Sequence, residues 1–412
     1  MNLRPYAIAA FAIVGCASSA LAAEGEVAVR VDLNPAHALF NRPLVTVSVC
    51  LQQPEAGGKG CIEVPNVLVD TGSSGLLLRR SALQGLDGLK PAGEYEYAFR
   101  NRYVSAPEYG ALTPAWIGLG QLYTQAPIGI GLLGGDGDQP SAVGSADDAD
   151  GVAGVLKHFN GILGIAPQPT DCPTGADCTC AKATEVARYY RRVPGSDGPG
   201  WEGPQAAPAY ELSNPVAALP SGYEDGFVLR IDTPDHAALQ AGVESGTLLL
   251  GFERWREPLF GEQAPRIPLF SSSWWFMATH GEPGQPPDLL TLPDSGSAAT
   301  LAPARYKPAS TDTNAAPARQ LPLFFDVHGA GPAAPYGPFT VELAEAGSAA
   351  IEGRPLSTLA TRFHDGDLLM SLGMPFFYGR TIAFRLPEDP RAVSDRAPEP
   401  GCLMIAPAPQ DV

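Results

Sequence analysis

Two short stretches carry the residue types that acid–base chemistry needs. Asp70-Thr71-Gly72-Ser73 follows the apolar run Val67-Leu68-Val69, and Asp294-Ser295-Gly296-Ser297 follows Leu290-Thr291-Leu292-Pro293. Each is an apolar run, then an Asp, a hydroxyl residue, a Gly and a Ser. One such match arises by chance in roughly a few per cent of chains this long, and two at strand ends are far rarer. Either one alone reads as an Asx turn closing a hairpin. As a pair they suggest a catalytic device. A strand delivers each carboxylate to a glycine-permitted turn, and the neighbouring hydroxyl bonds the backbone groups that fix it. Two such turns meeting at a pseudo-two-fold axis would place Asp70 and Asp294 on one water. Like charges that close cannot both ionise readily, so one proton is shared and the pair supplies an acid and a base. The apparent pKa values then belong to the pair.

The elements that must position these turns are strands. A period of two dominates residues 27–33, 44–51, 63–69, 95–103, 116–119 and 126–130 in the first part of the chain. It returns at 227–231, 247–252, 267–270, 274–278, 289–292, 321–327, 339–343, 368–372, 381–386 and 402–405. Short β-rich runs between Gly, Pro, Asn and Asp clusters predict an all-β protein with few helices. The clearest helical segment is 183–192. Two long loops interrupt the strands. The first, 134–151, carries Asp136, Asp138, Asp147, Asp148 and Asp150 with no basic residue, so it is expected to be solvated. It lacks the ordered ligand spacing and closing Glu of a calcium loop. The second, 167–208, is rich in Cys, Pro and Gly.

With these residues in place, the chain resembles the pepsin-like aspartic proteases. Residues 160–166, Asn-Gly-Ile-Leu-Gly-Ile-Ala, resemble that family's first hydrophobic-hydrophobic-Gly element, and 368–377 resemble its counterpart in the second lobe. Residues 246–252 resemble the strand closing the first lobe, and 267–270 with 274–278 the pair opening the second. The chain is also similar to a bacterial family of exported proteins of unknown function that carries the same first turn. The resemblance implies two β-barrel lobes with a cleft between them, at 23–254 and 255–412. It implies that Asp70 and Asp294 are the catalytic pair, supported by Gly72 and Gly296. Thr71 and Ser295 would brace the turns, Ser73 and Ser297 would bond the outer carboxylate oxygens, and Tyr103 would close over substrate. Three residues depart from the pattern. Pro293 removes a ladder donor just before Asp294 and restricts Leu292 to extended backbone, which would displace the carboxylate if that donor were needed. Leu77 stands where an aromatic usually supports the closing tyrosine, and Ser371 interrupts the second apolar element.

The implied activity is that of an exported aspartic endopeptidase acting on a peptide or protein, without cofactor or metal. The alternative is an inactive binding protein of the same fold at the cell envelope, holding a peptide or carbohydrate. A serine hydrolase is disfavoured because no Gly-x-Ser-x-Gly elbow exists, and a zincin because His-Glu-x-x-His is missing. The 412 residues are 45% apolar and 17% charged, which suits folded domains, and a net charge of −17 argues against nucleic-acid binding. Residues 1–22 read as a signal peptide: Arg4, an apolar stretch over 6–15, and Ala20-Leu21-Ala22 ahead of Ala23. A lipobox-like Ile13-Val14-Gly15-Cys16 offers the alternative of a lipid anchor at Cys16, the one route to a membrane. A monomer, periplasmic or secreted, is expected. Six of the seven cysteines lie beyond this leader and are expected in disulfides, Cys50 with Cys61 across a hairpin being the best pairing.

Overall fold

The computed structural model describes residues 24–55, 58, 60–90, 94–102, 107–134, 158–171, 187–193, 201–205, 210–269, 277–280, 288–308, 319–326, 336–344, 361–366, 368–388 and 401–407. It is strand-rich, as the two-residue period predicts. The first strands are β1 (Glu26–Asp32), β2 (Pro43–Cys50), β3 (Cys61–Asp70), β4 (Ser74–Arg79), β5 (Tyr97–Arg102), β6 (Pro107–Leu119), β7 (Leu122–Tyr123), β8 (Ile128–Leu133) and β9 (Gly161–Ile165). Six of them close a ring. β2 pairs antiparallel with β3, β3 parallel with β9, β9 antiparallel with β4, β4 parallel with β8, and β8 antiparallel with β6, which returns to β2. Closure leaves no free edge, and both faces of the last turn of β3 are covered. That is why Val67-Leu68-Val69 is continuously apolar rather than alternating. The Cys50–Cys61 disulfide joins directly opposed residues of β2 and β3, as expected.

Outside this barrel lie β10 (Ala187–Arg192) and β11 (Trp201–Gln205), which extend the sheet from β5. The expected helix over 183–192 is therefore corrected where it is described, since 187–192 form a strand. Tyr189 and Tyr190 are buried there, and the Tyr189 hydroxyl accepts from Leu212 N–H at 2.8 Å and bonds Asp171. Packing has overridden local preference. The strand read at 116–119 extends to thirteen residues, because β6 passes Pro107, Gly110 and Pro114 without breaking.

Next come β12 (Gly226–Ile231), α1 (His236–Ala241), β13 (Val243–Leu250), α2 (Phe252–Phe260), β14 (Ile267–Pro268), β15 (Met277–His280), β16 (Leu289–Pro293), β17 (Leu301–Pro303), β18 (Arg319–Phe325), β19 (Tyr336–Leu343), β20 (Arg362–His364), β21 (Leu369–Leu372), α3 (Met374–Phe377), β22 (Arg380–Arg385) and β23 (Cys402–Pro407). The second sheet repeats the pairing signs of the first. β15 to β16 is antiparallel, β16 to β21 parallel, β21 to β17 antiparallel, and β17 to β20 parallel. On its other side β15 pairs with β18, and β18 with β19. Thr361 N–H, beside β20, donates to Ala344 O, just after β19, at 2.7 Å and brings the ends of this sheet together. The repeat seen in the two Asp turns is thus a repeat of strand order.

A six-stranded antiparallel run, in the order β1, β13, β12, β22, β23, β14, continues from β2 and draws on both halves of the chain. Cys402 opens β23 as a buried free thiol. Its expected disulfide is corrected: the side chain packs with Val228, Leu249 and Met404, and burial pushes the thiol up to about 11. Residues 1–23, with the leader and Cys16, lie outside the described residues, as do Cys172, Cys178, Cys180 and most of the acidic loop. Among the described residues no helix is long and apolar enough to cross a membrane.

Candidate active site

β3 ends on Asp70, and β16 ends one residue before Asp294. The two turns interlock through their hydroxyl residues in a reciprocal way. Thr71 Oγ1 donates to Pro293 O at 2.7 Å and accepts from Ser295 N–H at 3.0 Å. Ser295 Oγ donates to Val69 O at 2.7 Å and accepts from Thr71 N–H at 3.2 Å. Both side chains are completely buried, at 0% exposure. Each hydroxyl therefore satisfies a carbonyl and an amide of the opposite half that water cannot reach, and the four bonds fix one turn against the other.

Above this brace the carboxylates are held by their own turns. Gly72 N–H donates to Asp70 Oδ1 at 2.8 Å and Ser73 Oγ to Asp70 Oδ2 at 2.6 Å. Ser297 Oγ donates to Asp294 Oδ2 at 2.6 Å, and Ser371 Oγ adds a second bond to that oxygen at 3.2 Å. Backbone bonds lock the turns from behind, Ala166 N–H to Ser73 O and Met374 N–H to Ser297 O, each at 2.8 Å. These partners follow just after β9 and β21, the strands that run parallel to β3 and β16.

The carboxylates face each other. A methyl carbon on Gly72 would stand 2.7 Å from Asp294 Cγ, and one on Gly296 would stand 2.5 Å from Asp70 Oδ1 and 3.0 Å from Asp294 Oδ1. Only glycine fits at either place, because each turn's backbone lies against the other's carboxylate. Both Oδ1 atoms thus lie against the same face of Gly296, and the two carboxyl groups are near enough to act on each other through a side-chain hydrogen bond as well as through charge. Asp70 is 7% exposed, whereas Asp294, Gly72, Ser73, Gly296 and Ser297 are half-buried, so the pair opens to solvent on one side. Burial, then the charge of Asp294, pushes the Asp70 carboxyl up to about 7 against the opposing bonds from Ser73 and Gly72. A carboxyl that keeps its proton so far above the usual range beside a second carboxylate is the arrangement for one shared proton.

Pro293 does not displace Asp294. Leu290 N–H donates to Leu368 O, just before β21, at 2.7 Å, and Asp294 N–H to Leu372 O, at the end of β21, at 2.9 Å. With a period of two, residue 293 directs its nitrogen away from β21, so the missing donor costs that ladder nothing. The Pro293 carbonyl is the one Thr71 binds.

The structure brings together Asp70, Thr71, Gly72, Ser73, Asp294, Ser295, Gly296 and Ser297. Tyr103 lies outside the described residues, in the connection between β5 and β6. Two residues at the site went unread in the sequence. Ser371, which stood out only as a departure from an apolar pattern, is a donor to Asp294. Arg42 carried no signal at all, being a single cation in a loop. Its half-buried guanidinium is near enough for Asp294 and Asp70 to act on its charge, though burial still lowers its pKa. Among the described residues no group of His, Cys, Asp and Glu could hold a metal ion.

Over residues 21–398 the chain matches a family described as protein of unknown function, DUF3443. It belongs to that family. No curated protein matches this DUF3443 chain. Among solved structures it is similar to the aspartic proteinase from Irpex lacteus, at 13% identity and a TM-score of 0.47, covering 93% of this chain and 97% of that one.

Proposed function

We propose that this DUF3443 protein is an aspartic endopeptidase. The observation that carries the reading is the reciprocal brace between Thr71 and Ser295, beneath two carboxylates that each press on the other turn's glycine. Nothing in an ordinary pair of Asx turns requires four sealed cross-bonds or such close approach.

In the proposed reaction, water sits between Asp70 and Asp294. One carboxylate takes a proton from the water as its oxygen attacks the scissile carbonyl, while the shared proton goes to the carbonyl oxygen. The tetrahedral intermediate then collapses as the newly protonated carboxyl gives its proton to the leaving nitrogen and the other carboxylate takes one from a hydroxyl of the intermediate. This leaves the C–N bond broken and the pair singly protonated again. The donors on the outer oxygens, Ser73 for Asp70 and Ser297 with Ser371 for Asp294, hold the inner oxygens toward the water. Substrate would lie extended over the open side of the pair, with Tyr103 as the residue closing over it. The Cys50–Cys61 disulfide is in keeping with work outside the cytoplasm.

Purified protein lacking residues 1–22 should cleave members of a peptide library between about pH 3 and 7, following the titration of the pair. Asp70→Asn and Asp294→Asn should each abolish cleavage. Failure to cleave any peptide, or cleavage unchanged by Asp70→Asn, would overturn the reading.

A further inference from the structure

Arg42 is an unusual neighbour for a carboxylate pair. The residue before it, Asn41, is fully buried in a left-handed conformation (φ 57°) that Asn tolerates better than most residues. Its amide donates to Ala298 O, next to Ser297, its side-chain oxygen accepts from the Tyr378 hydroxyl, and its N–H donates to Asp32 O at 2.6 Å. The residue after it, Pro43, starts β2 and confines Arg42 to extended backbone. The stem of Arg42 is therefore anchored on both sides to the floor of the site.

Its guanidinium, in contrast, has no hydrogen bond or ion pair among the described residues. A structural arginine at similar depth behaves differently: Arg380 donates to Phe376 O at 2.7 Å and Thr340 O at 3.4 Å. The charges acting on Arg42 are Asp294, Asp70 and a second cation, Arg362. Arg362 is exposed at the start of β20, its N–H bonded to Thr300 O at 2.9 Å. With one proton shared, the two carboxylates carry one negative charge between them, and the two arginines carry two positive charges. These four neighbouring groups thus sum to a net positive charge in a chain whose overall charge is −17. A held guanidinium with uncommitted donors suits a carboxylate, which it can bind through two parallel bonds.

We propose that Arg42, supported by Arg362, makes the site select peptides that carry a carboxylate side chain, Asp or Glu, beside the scissile bond. The proposal rests on the endopeptidase reading and names its substrate class. Arg42 acts here as a specificity residue, leaving the water chemistry to the two aspartates.

The test uses peptides whose scissile amide is replaced by an uncharged ketomethylene group, so that binding is read without turnover. Three versions carry Glu, Gln or Lys beside that group, placed in turn on each side, and affinities are measured for the wild-type protein and for Arg42→Gln. The wild type should bind the Glu version about tenfold or more tighter than the Gln version on one side, with Lys weakest. Arg42→Gln should bring Glu and Gln to about equal affinity while leaving the Gln affinity near wild type, which also shows that the variant is folded. Binding without charge preference, or a preference that Arg42→Gln leaves intact, overturns this proposal alone. If no version binds the wild type, this proposal and the endopeptidase reading fall together.

Discussion

Asp70→Asn should alter how stability depends on pH. In the folded protein burial and the facing Asp294 raise the Asp70 carboxyl from 3.8 to about 7. Between those values the native state keeps a proton that the unfolded chain has released. Stability therefore falls as pH rises through the window, and the contribution is fully present only below about 4. At about 1.4 kcal/mol per unit, the wild type should lose about 4 kcal/mol across this range from Asp70 alone. Asparagine has nearly the same shape, can accept from Gly72 N–H through its one oxygen while its amide donates to a turned Ser73 hydroxyl, and does not titrate. The difference in unfolding free energy between variant and wild type should therefore grow by about that amount from pH 4 to pH 8. Urea unfolding at four or five pH values would measure it. A second variant separates the two causes: Asp294→Asn removes the facing charge but not the burial, so the slope should shrink and persist. A wild-type-minus-Asp70→Asn difference that stays flat from pH 4 to 8 would refute the reasoning, because it would mean that Asp70 ionises as freely folded as unfolded.

Gly296→Ala should cut peptide cleavage by about 100-fold or more, because its methyl group would have to displace Asp70 Oδ1 from 2.5 Å, and a shift of ~1 Å is enough for that loss. Steady-state rates at the optimal pH would check it. Thr71→Val and Ser295→Ala should each destabilise by roughly 2–5 kcal/mol, since each strands an amide and a carbonyl of the opposite turn in a sealed interior. The two losses should match closely in urea melts if the brace is symmetric. Replacing both Cys50 and Cys61 by Ser should lower stability by about 2–3 kcal/mol, the loop between them being short, with little change in rate.

The sequence alone determined the all-β class, the position of most strands and the two Asp turns. Alternation and turn residues are local signals, and an Asp-hydroxyl-Gly-Ser repeat can be recognised wherever it occurs. The Cys50–Cys61 bridge was legible for the same reason, since one short hairpin makes both residues neighbours. Some local signals went unread, such as Asp235 capping α1 at Ala238 N–H and the left-handed Gly242 ending it. Other features are decided only by the tertiary structure. Residues 187–192 are a strand because β5 and β11 flank them and Tyr189 finds buried partners. Pro293 is harmless because of which way its nitrogen faces in a parallel ladder, and no sequence pattern records that direction. Ser371 bonds Asp294 from a strand 77 residues away along the chain, and Arg42 comes within range of both charges from a loop 252 residues away from Asp294. Such contacts exist only once two distant turns have locked together, since the hydrogen bonds and charges that define the site act through space and not along the backbone.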